Sequence, residues 1–388
     1  MTTTASDRSA SALAIIRVSG YAGFLELREP WNELAADRSV FLRHEWFDAA
    51  WQWRGRDDAA RLAILCAYRG TRLVGICPLI TCTVRSAGMA RRVLEFLTVP
   101  DNQSCDIIAA EAEQAAVADA LAAELVARRG EWDVLRLSYL PEHALARSEL
   151  ARALEAHDIE CRMTGTGGNP YISLETGWED YYSTRSRSLK KANNLAANRL
   201  KKAGEIRIDW LQPGTTSAAE AMPALDAAIA ISAGSWKSST GNSLDNPGPQ
   251  AFIRHLSENA VRQGWLSLWL LALDGKPMAM EYQLVFGGKV HALRADFIDG
   301  SDEISPGSHL NRHQLEQLFG RGLHRYLMGP GDNPYKKRWT EEAEPLFQLD
   351  AYSPSARGKL AALWDLRIKP ALRALKANMK QSKEAEAQ

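Results

Sequence analysis

WLSLWLLALDGKPMAMEYQLVFGGKVHALRADF (residues 265–297) holds three largely apolar runs separated by two short turns. Asp274-Gly275 lies between the first two runs, and Asp-Gly in that setting is the strongest short-range hairpin signal. Gly287-Gly288 marks the next turn. The stretch therefore predicts a three-stranded β-meander over 265–273, 277–286 and 289–297. Next comes SPGSHLNRHQLEQLFGRG, which predicts a helix with Ser305 as N-cap, Pro306 in the first turn and Gly322 past the end. HRYLMG reads as a last strand, running into MGPGDNPYKKRW (residues 328–339).

Much the same order occurs earlier. Residues 61–84 read as two strands around Arg-Gly-Thr, residues 111–129 as a helix, Trp132 to Leu140 as a buried strand, and SELARALEAHD as a further helix. The chain thus reads as two copies of one α/β unit, similar in pattern rather than in letters. TGTGGNPYISL (residues 164–174) reads as a turn-rich linker between them. The expected division is an N-terminal domain over 1–163, a C-terminal domain over 164–350, and a helical segment with a polar tail over 351–388.

Bulk properties exclude several classes. A chain of 388 residues favours two domains, and 46% hydrophobic with 24% charged residues is ordinary for a globular protein. Lys plus Arg equals Asp plus Glu at 47 each, so a basic surface can only be local. No apolar run approaches the ~20 residues of a membrane helix, and the N-terminal stretch lacks the pattern of a secretion signal. Five scattered cysteines suit a reducing cytoplasm and argue against a zinc knuckle or a disulfide framework.

No phosphate loop, GxGxxG turn, HExxH helix or GxSxG elbow is present. His309 and His313 are four apart but lack the intervening acid, so no metal site is predicted. The turn into Ser305 delivers the chain to a helix N-terminus, where free N–H groups and the helix dipole can hold an anion. There Gly307 permits close approach, and Ser308, His309, Asn311 and Arg312 can add polar contacts; a plain helix cap is the other reading. Glu281 and Asp296 stand in central strands, where a carboxylate is either paired or functional. Alternation puts Arg294 and Asp296 on one face, so a structural ion pair between them is the simpler alternative. Residues 232–249 read as a long polar loop. A basic helix over 185–203 carries Lys190, Lys191, Arg199, Lys201 and Lys202 off a thin stripe of Leu189, Ala192, Ala196, Leu200 and Ala203. That face is either solvated or a contact for a phosphate backbone.

Taken together, ALDGKPMAMEYQLVFGGKVHALRADFID, SPGSHL and GPGDNPYKKRW resemble the signature of the bacterial acetyltransferase family related to the cellulose-biosynthesis protein CelD, within the GNAT superfamily. The resemblance covers roughly residues 165–340, and the N-terminal unit is similar to the degenerate half such proteins carry. It implies an α/β fold of two tandem GNAT-like units, each a mostly antiparallel sheet flanked by helices, as in Fem-type aminoacyltransferases. The implied activity is N-acyl transfer from acyl-CoA, or an acyl carrier protein, to a primary amine of a small molecule or saccharide, with no permanently bound cofactor. It further implies that Ser305, Pro306, Gly307, Ser308, His309, Asn311 and Arg312 hold the donor, although the usual glycine-rich loop here has one glycine and a proline. Asp296 and Glu281 become candidate bases and Tyr335 a candidate acid. Trp236, Lys237, Tyr282, Arg294, Asp332, Lys336 and Arg338 become candidate substrate contacts. Two rivals stay open: an aminoacyl-tRNA-dependent transferase, using the basic helix for RNA, and a non-catalytic scaffold.

Overall fold

The computed structural model describes residues 13–86 and 88–372. The N-terminal part runs β1 (Ala14–Val18), α1 (Tyr21–Glu26), α2 (Arg28–Ala35), α3 (His44–Arg54), β2 (Arg61–Leu62), β3 (Ile64–Arg69), β4 (Arg72–Cys77), β5 (Leu79–Ser86), β6 (Met89–Phe96), β7 (Ile108–Ala109), α4 (Gln114–Ala127), β8 (Val134–Pro141), α5 (Ala151–Glu155) and β9 (Glu160–Ser173). The C-terminal part runs α6 (Trp178–Ser183), α7 (Arg187–Ala203), β10 (Ile206–Leu211), α8 (Ala218–Ala233), α9 (Pro247–Arg262), β11 (Leu266–Leu273), β12 (Lys276–Phe286), β13 (Lys289–Phe297), α10 (Pro306–Leu318), β14 (Arg325–Leu327), α11 (Pro334–Lys337), β15 (Ala343–Tyr352) and α12 (Ala356–Leu363). The expected polar tail lies mostly outside the described residues.

The meander forms as its turns dictate. Asp274 and Gly275 take φ of 48° and 76°, and Gly287 and Gly288 take 55° and 71°, the positive values a tight hairpin needs. The two halves share one plan, a mixed, mostly antiparallel sheet flanked by helices. Each contains one parallel pair, β6 with β8 in the first and β13 with β14 in the second. Each also gives its last strand to the other: β9 pairs with β14, β15 pairs with β8, and β9 and β15 pair with each other. The exchange fuses the halves into one eleven-stranded sheet, β10-β11-β12-β13-β14-β9-β15-β8-β6-β5-β2, beside a four-stranded sheet β1-β3-β4-β7.

Several expectations change. The expected linker over 164–174 lies almost wholly in β9, so a division at 163/164 cuts a strand. Its glycines serve strand geometry rather than a turn: Gly167 has φ of 107°, and a Cβ on Gly168 would stand 2.9 Å from that of Ala343 across the pair. The supposed loop over 232–249 is mostly helical, with a 3-10 turn at Trp236–Thr240 and α9 starting on Pro247. The helix after Ser305 stops at Leu318 rather than near Gly322, because Phe319 leaves it with ψ of 144° to pack on Trp178 and Tyr181. Pro78, which has no N–H to give a ladder, separates β4 from β5, and the two runs join different sheets.

One apolar core runs through both units. Trp46 on α3 meets Phe252 on α9 edge to face, with centroids 5.3 Å apart. Burying each such ring is worth roughly 1.5–3 kcal/mol, so this contact holds the units together as a shared core would.

Candidate active site

β13 and β14 pair only at Lys289–His291 and Arg325–Leu327. Beyond that point β13 continues to Phe297, while the chain after β14 turns away through Gly329 and Gly331, with φ of 80° and 110°. The split opens into a cavity of about 460 Å³ lined by β12, β13, α7, α10 and the segment 328–339. α10 starts against the end of β13. A Cβ on Gly307 would meet Phe297 Cδ1 at 2.9 Å, so glycine is what allows that approach.

Glu281, on β12, is 2% exposed. Its Oε1 accepts from the Tyr326 hydroxyl, from Gln283 Nε2 at 3.0 Å and from Gln314 Nε2 at 2.9 Å; its Oε2 has a long contact from Asn311 Nδ2 at 3.5 Å. Burial raises the carboxyl above the ordinary range, and these donors pull it only part of the way back. The Tyr335 phenol is raised by burial and then by the charge of Glu281, although 41% of the residue is exposed. Tyr326, buried against Glu281, is raised well above the ordinary tyrosine value, by burial first and then by the Glu281 charge.

Asp296 has a different environment. Its Oδ2 accepts from Ser232 Oγ at 2.8 Å, and Oδ1 pairs with Lys237 Nζ, which also donates to the Ala295 carbonyl at 3.0 Å. The expected Arg294–Asp296 pair does not form. Arg294 instead contacts Asp101 twice, Nε to Oδ1 at 2.5 Å and Nη2 to Oδ2 at 2.6 Å, and donates to the Asn242 carbonyl at 2.6 Å.

Asp101 comes from the N-terminal unit, as does Gln103. The Gln103 Nε2 donates to the Ala292 carbonyl at 2.8 Å, and its Oε1 lies 3.1 Å from His291 Nδ1. A backbone carbonyl can only accept, so the amide orientation is fixed and His291 Nδ1 carries the proton. Burial holds the His291 imidazole down at about 3. Lys336 is 8% exposed; its Nζ donates to the carbonyls of Gly329 at 2.7 Å and Pro330 at 3.1 Å. Burial, and then the nearby Lys237, lower it to about 8.

The cavity therefore gathers Trp236, Lys237, Glu281, Arg294, Asp296, Gly307, Ser308, Asn311, Tyr335, Lys336 and Arg338 from the expected set. Others lie elsewhere. Tyr282 points into the core, its hydroxyl 3.0 Å from that of Ser257. Asp332 is exposed and pairs with Lys337 at 2.6 Å. Arg312 sits over the Tyr182 ring and near Glu316, and Ser305, Pro306 and His309 are not on the lining. Ser305 does not cap α10 with its side chain: it is left-handed, φ 52°, and its hydroxyl donates to the Asp302 carbonyl. Gln314 and Tyr326 are site residues that sequence reasoning missed. They follow Glu281 by 33 and 45 residues on other elements, and reach it only once β12, α10 and β14 are brought together.

The splayed parallel pair and the helix start beside it both lie within a segment that a family model matches. Residues 187–337 match the family model described as an acetyltransferase (GNAT) domain. That GNAT segment spans α7 to α11 and so contains most of the cavity. Among solved structures, the C-terminal domain of a proposed lysylphosphatidylglycerol synthetase from Agrobacterium fabrum aligns with TM-score 0.53 at 13% identity, covering 88% of this chain and 96% of that one. FemX aligns with TM-score 0.51 at 10% identity, over 91% of this chain and 99% of that one. A conserved protein of unknown function from Bacteroides thetaiotaomicron gives 0.52 at 10% identity, over 87% and 100%. At these identities the likeness is one of fold. No curated protein matches the sequence. Among the described residues no helix is long and apolar enough to cross a membrane.

Proposed function

We propose that the protein is a CelD-like N-acyltransferase of the cytoplasm, moving an acyl group from acyl-CoA or an acyl carrier protein to a primary amine. The observation that carries this reading is Glu281: a buried, hydrogen-bonded carboxylate with raised affinity for a proton, on the wall of the split between two parallel strands of a GNAT segment. The donor arm enters the split beside β13, with its phosphates toward the start of α10. The amine nitrogen attacks the thioester carbonyl, forming N–C as C–S breaks. Glu281 takes the amine proton, and the Tyr335 hydroxyl supplies one to the departing thiolate. Holding donor and amine side by side contributes most of the rate. Asp296 keeps Lys237 in place rather than acting on the substrate.

An aminoacyl-tRNA donor is the second reading, favoured by the exposed cations Lys191, Lys201 and Lys202 on α7. There Lys190 is engaged with the Ser183 carbonyl and Arg199 with that of Glu303. The deciding experiment titrates the full chain with acetyl-CoA, longer acyl-CoAs and charged tRNA. Saturable acyl-CoA binding with amine-dependent thiol release is expected; binding of charged tRNA alone, weakening steeply with salt, overturns the reading.

A further inference from the structure

The charges on the cavity wall do not cancel in pairs. Asp101 is taken by Arg294 and Asp296 by Lys237. That leaves one carboxylate, Glu281, and two cations, Lys336 and Arg338, on the same lining. Arg338 is exposed and can be hydrated. Lys336 is not: it is more than nine-tenths buried, and the partners of its Nζ are the two carbonyl oxygens of Gly329 and Pro330. An ammonium has three donors, and two carbonyl dipoles do not compensate a buried charge. Its depressed proton affinity reports the same deficit.

The position of that ammonium matters. A Cβ placed on Gly329 would have the Ala292 carbonyl oxygen at 3.4 Å, Gln103 Nε2 at 3.7 Å and Lys336 Nζ at 3.8 Å. Lys336 Nζ thus stands where β13 and β14 part. Glu281 shows the opposite imbalance: Oε1 is saturated, whereas among the described residues Oε2 has only the 3.5 Å contact from Asn311. One cavity offers an acceptor with spare capacity and a cation with a spare donor.

From this we infer that the acyl acceptor is an amino acid or a close analogue, with its amine toward Glu281 Oε2 and its carboxylate on Lys336 Nζ. The inference rests on the acyltransferase reading, and it narrows the acceptor class from any primary amine to a zwitterion. The donor's phosphates carry the same kind of anionic oxygen, and the test separates the two sources.

The full chain is assayed by thiol release from acetyl-CoA with the protein amino acids, the matching carboxamides and glucosamine. Calorimetry with the same amines, without donor, runs in parallel. A charge-assisted bond lost on amidation should lower kcat/KM by about tenfold to a hundredfold. Lys336→Met should bring the acid-to-amide ratio close to one, while Lys336→Arg keeps the charge and retains part of the preference. Equal use of carboxamides or glucosamine by the unmodified protein overturns the inference. So does a Lys336→Met variant that raises KM for acetyl-CoA with the acid-to-amide ratio intact, which assigns the cation to the donor. If no amine supports thiol release, the donor reading fails separately. Calorimetry then still decides: amino-acid binding lost in Lys336→Met supports the site, and absent or unselective binding overturns it.

Discussion

The two units have the same parallel pair and use it in opposite ways. In the N-terminal unit β6 and β8 pair over Val93–Glu95 and Val134–Arg136, and the chain then returns beside β8, with the Cys105 N–H bonding the Tyr139 carbonyl. Val99, Cys105 and Ile107 of that return are buried, and Asp106 accepts from the backbone N–H groups of Leu145 and Ala146. In the C-terminal unit β13 and β14 part in the same manner, but among the described residues no segment of their own unit pairs with either strand in the split, which stays open onto carboxylates and lysines. The first unit's return contributes Asp101 and Gln103 to the second unit's cavity. One topology thus serves once as core and once as a cleft, and the filled copy helps to build the open one.

The largest effect should come from the open copy. Glu281→Gln should lower kcat about 10²–10⁴-fold with little change in melting temperature; a loss of stability with turnover intact would make Glu281 a purely structural group. As a base with raised proton affinity, Glu281 should also place the acid limb of the kcat profile above the ordinary carboxylate range, activity falling as pH drops through it.

The filled copy supplies the next. Asp101→Ala should destabilise by roughly 3–5 kcal/mol in denaturant titration, because it strands a buried guanidinium. If stability is unchanged, Arg294 is compensated within the C-terminal unit and the two copies are less interdependent than the geometry indicates. Gly307→Ala should cost about 1–3 kcal/mol through its clash with Phe297 and weaken acyl-CoA binding; Tm and titration measure the two.

His291 tests the junction between copies by pH. Its folded-state value of about 3 lies below the ~6.5 of an unfolded histidine, so only the unfolded chain takes up a proton as pH falls between them. The His291 contribution to stability is therefore full above about 6.5 and is lost toward 3. The difference in Tm between the unmodified protein and His291→Gln should shrink over that window. The smallest effect is expected on α7: replacing Lys191, Lys201 and Lys202 with Gln should leave acyl-CoA turnover unchanged, and a large loss would favour the RNA-using alternative.

Local signals made much of this legible. Asp274-Gly275 and Gly287-Gly288 announced the meander because only a few residues accept positive φ, and helical spacing announced α7, although buried Asn193 replaces Ala203 on its inner face. Glu281 stood out because a carboxylate is rarely placed mid-strand. Where the reading failed, the cause was distant. The glycines of 164–174 looked like a turn but accommodate a crossing strand from the other end of the chain. Arg294 and Asp296 share a face, yet each found its partner on another element, one of them 193 residues away in the N-terminal unit.

By itself, the sequence determined the α/β class, the repeated order of elements and the short list of charged residues inside strands, since these follow from periodicity and turn chemistry within a few residues. Only the tertiary structure decided that the units exchange their last strands, that the first unit's split is filled while the second's is open, and that Lys336 is buried with no carboxylate partner among the described residues. Those outcomes depend on which distant backbone meets which, and no local pattern encodes that.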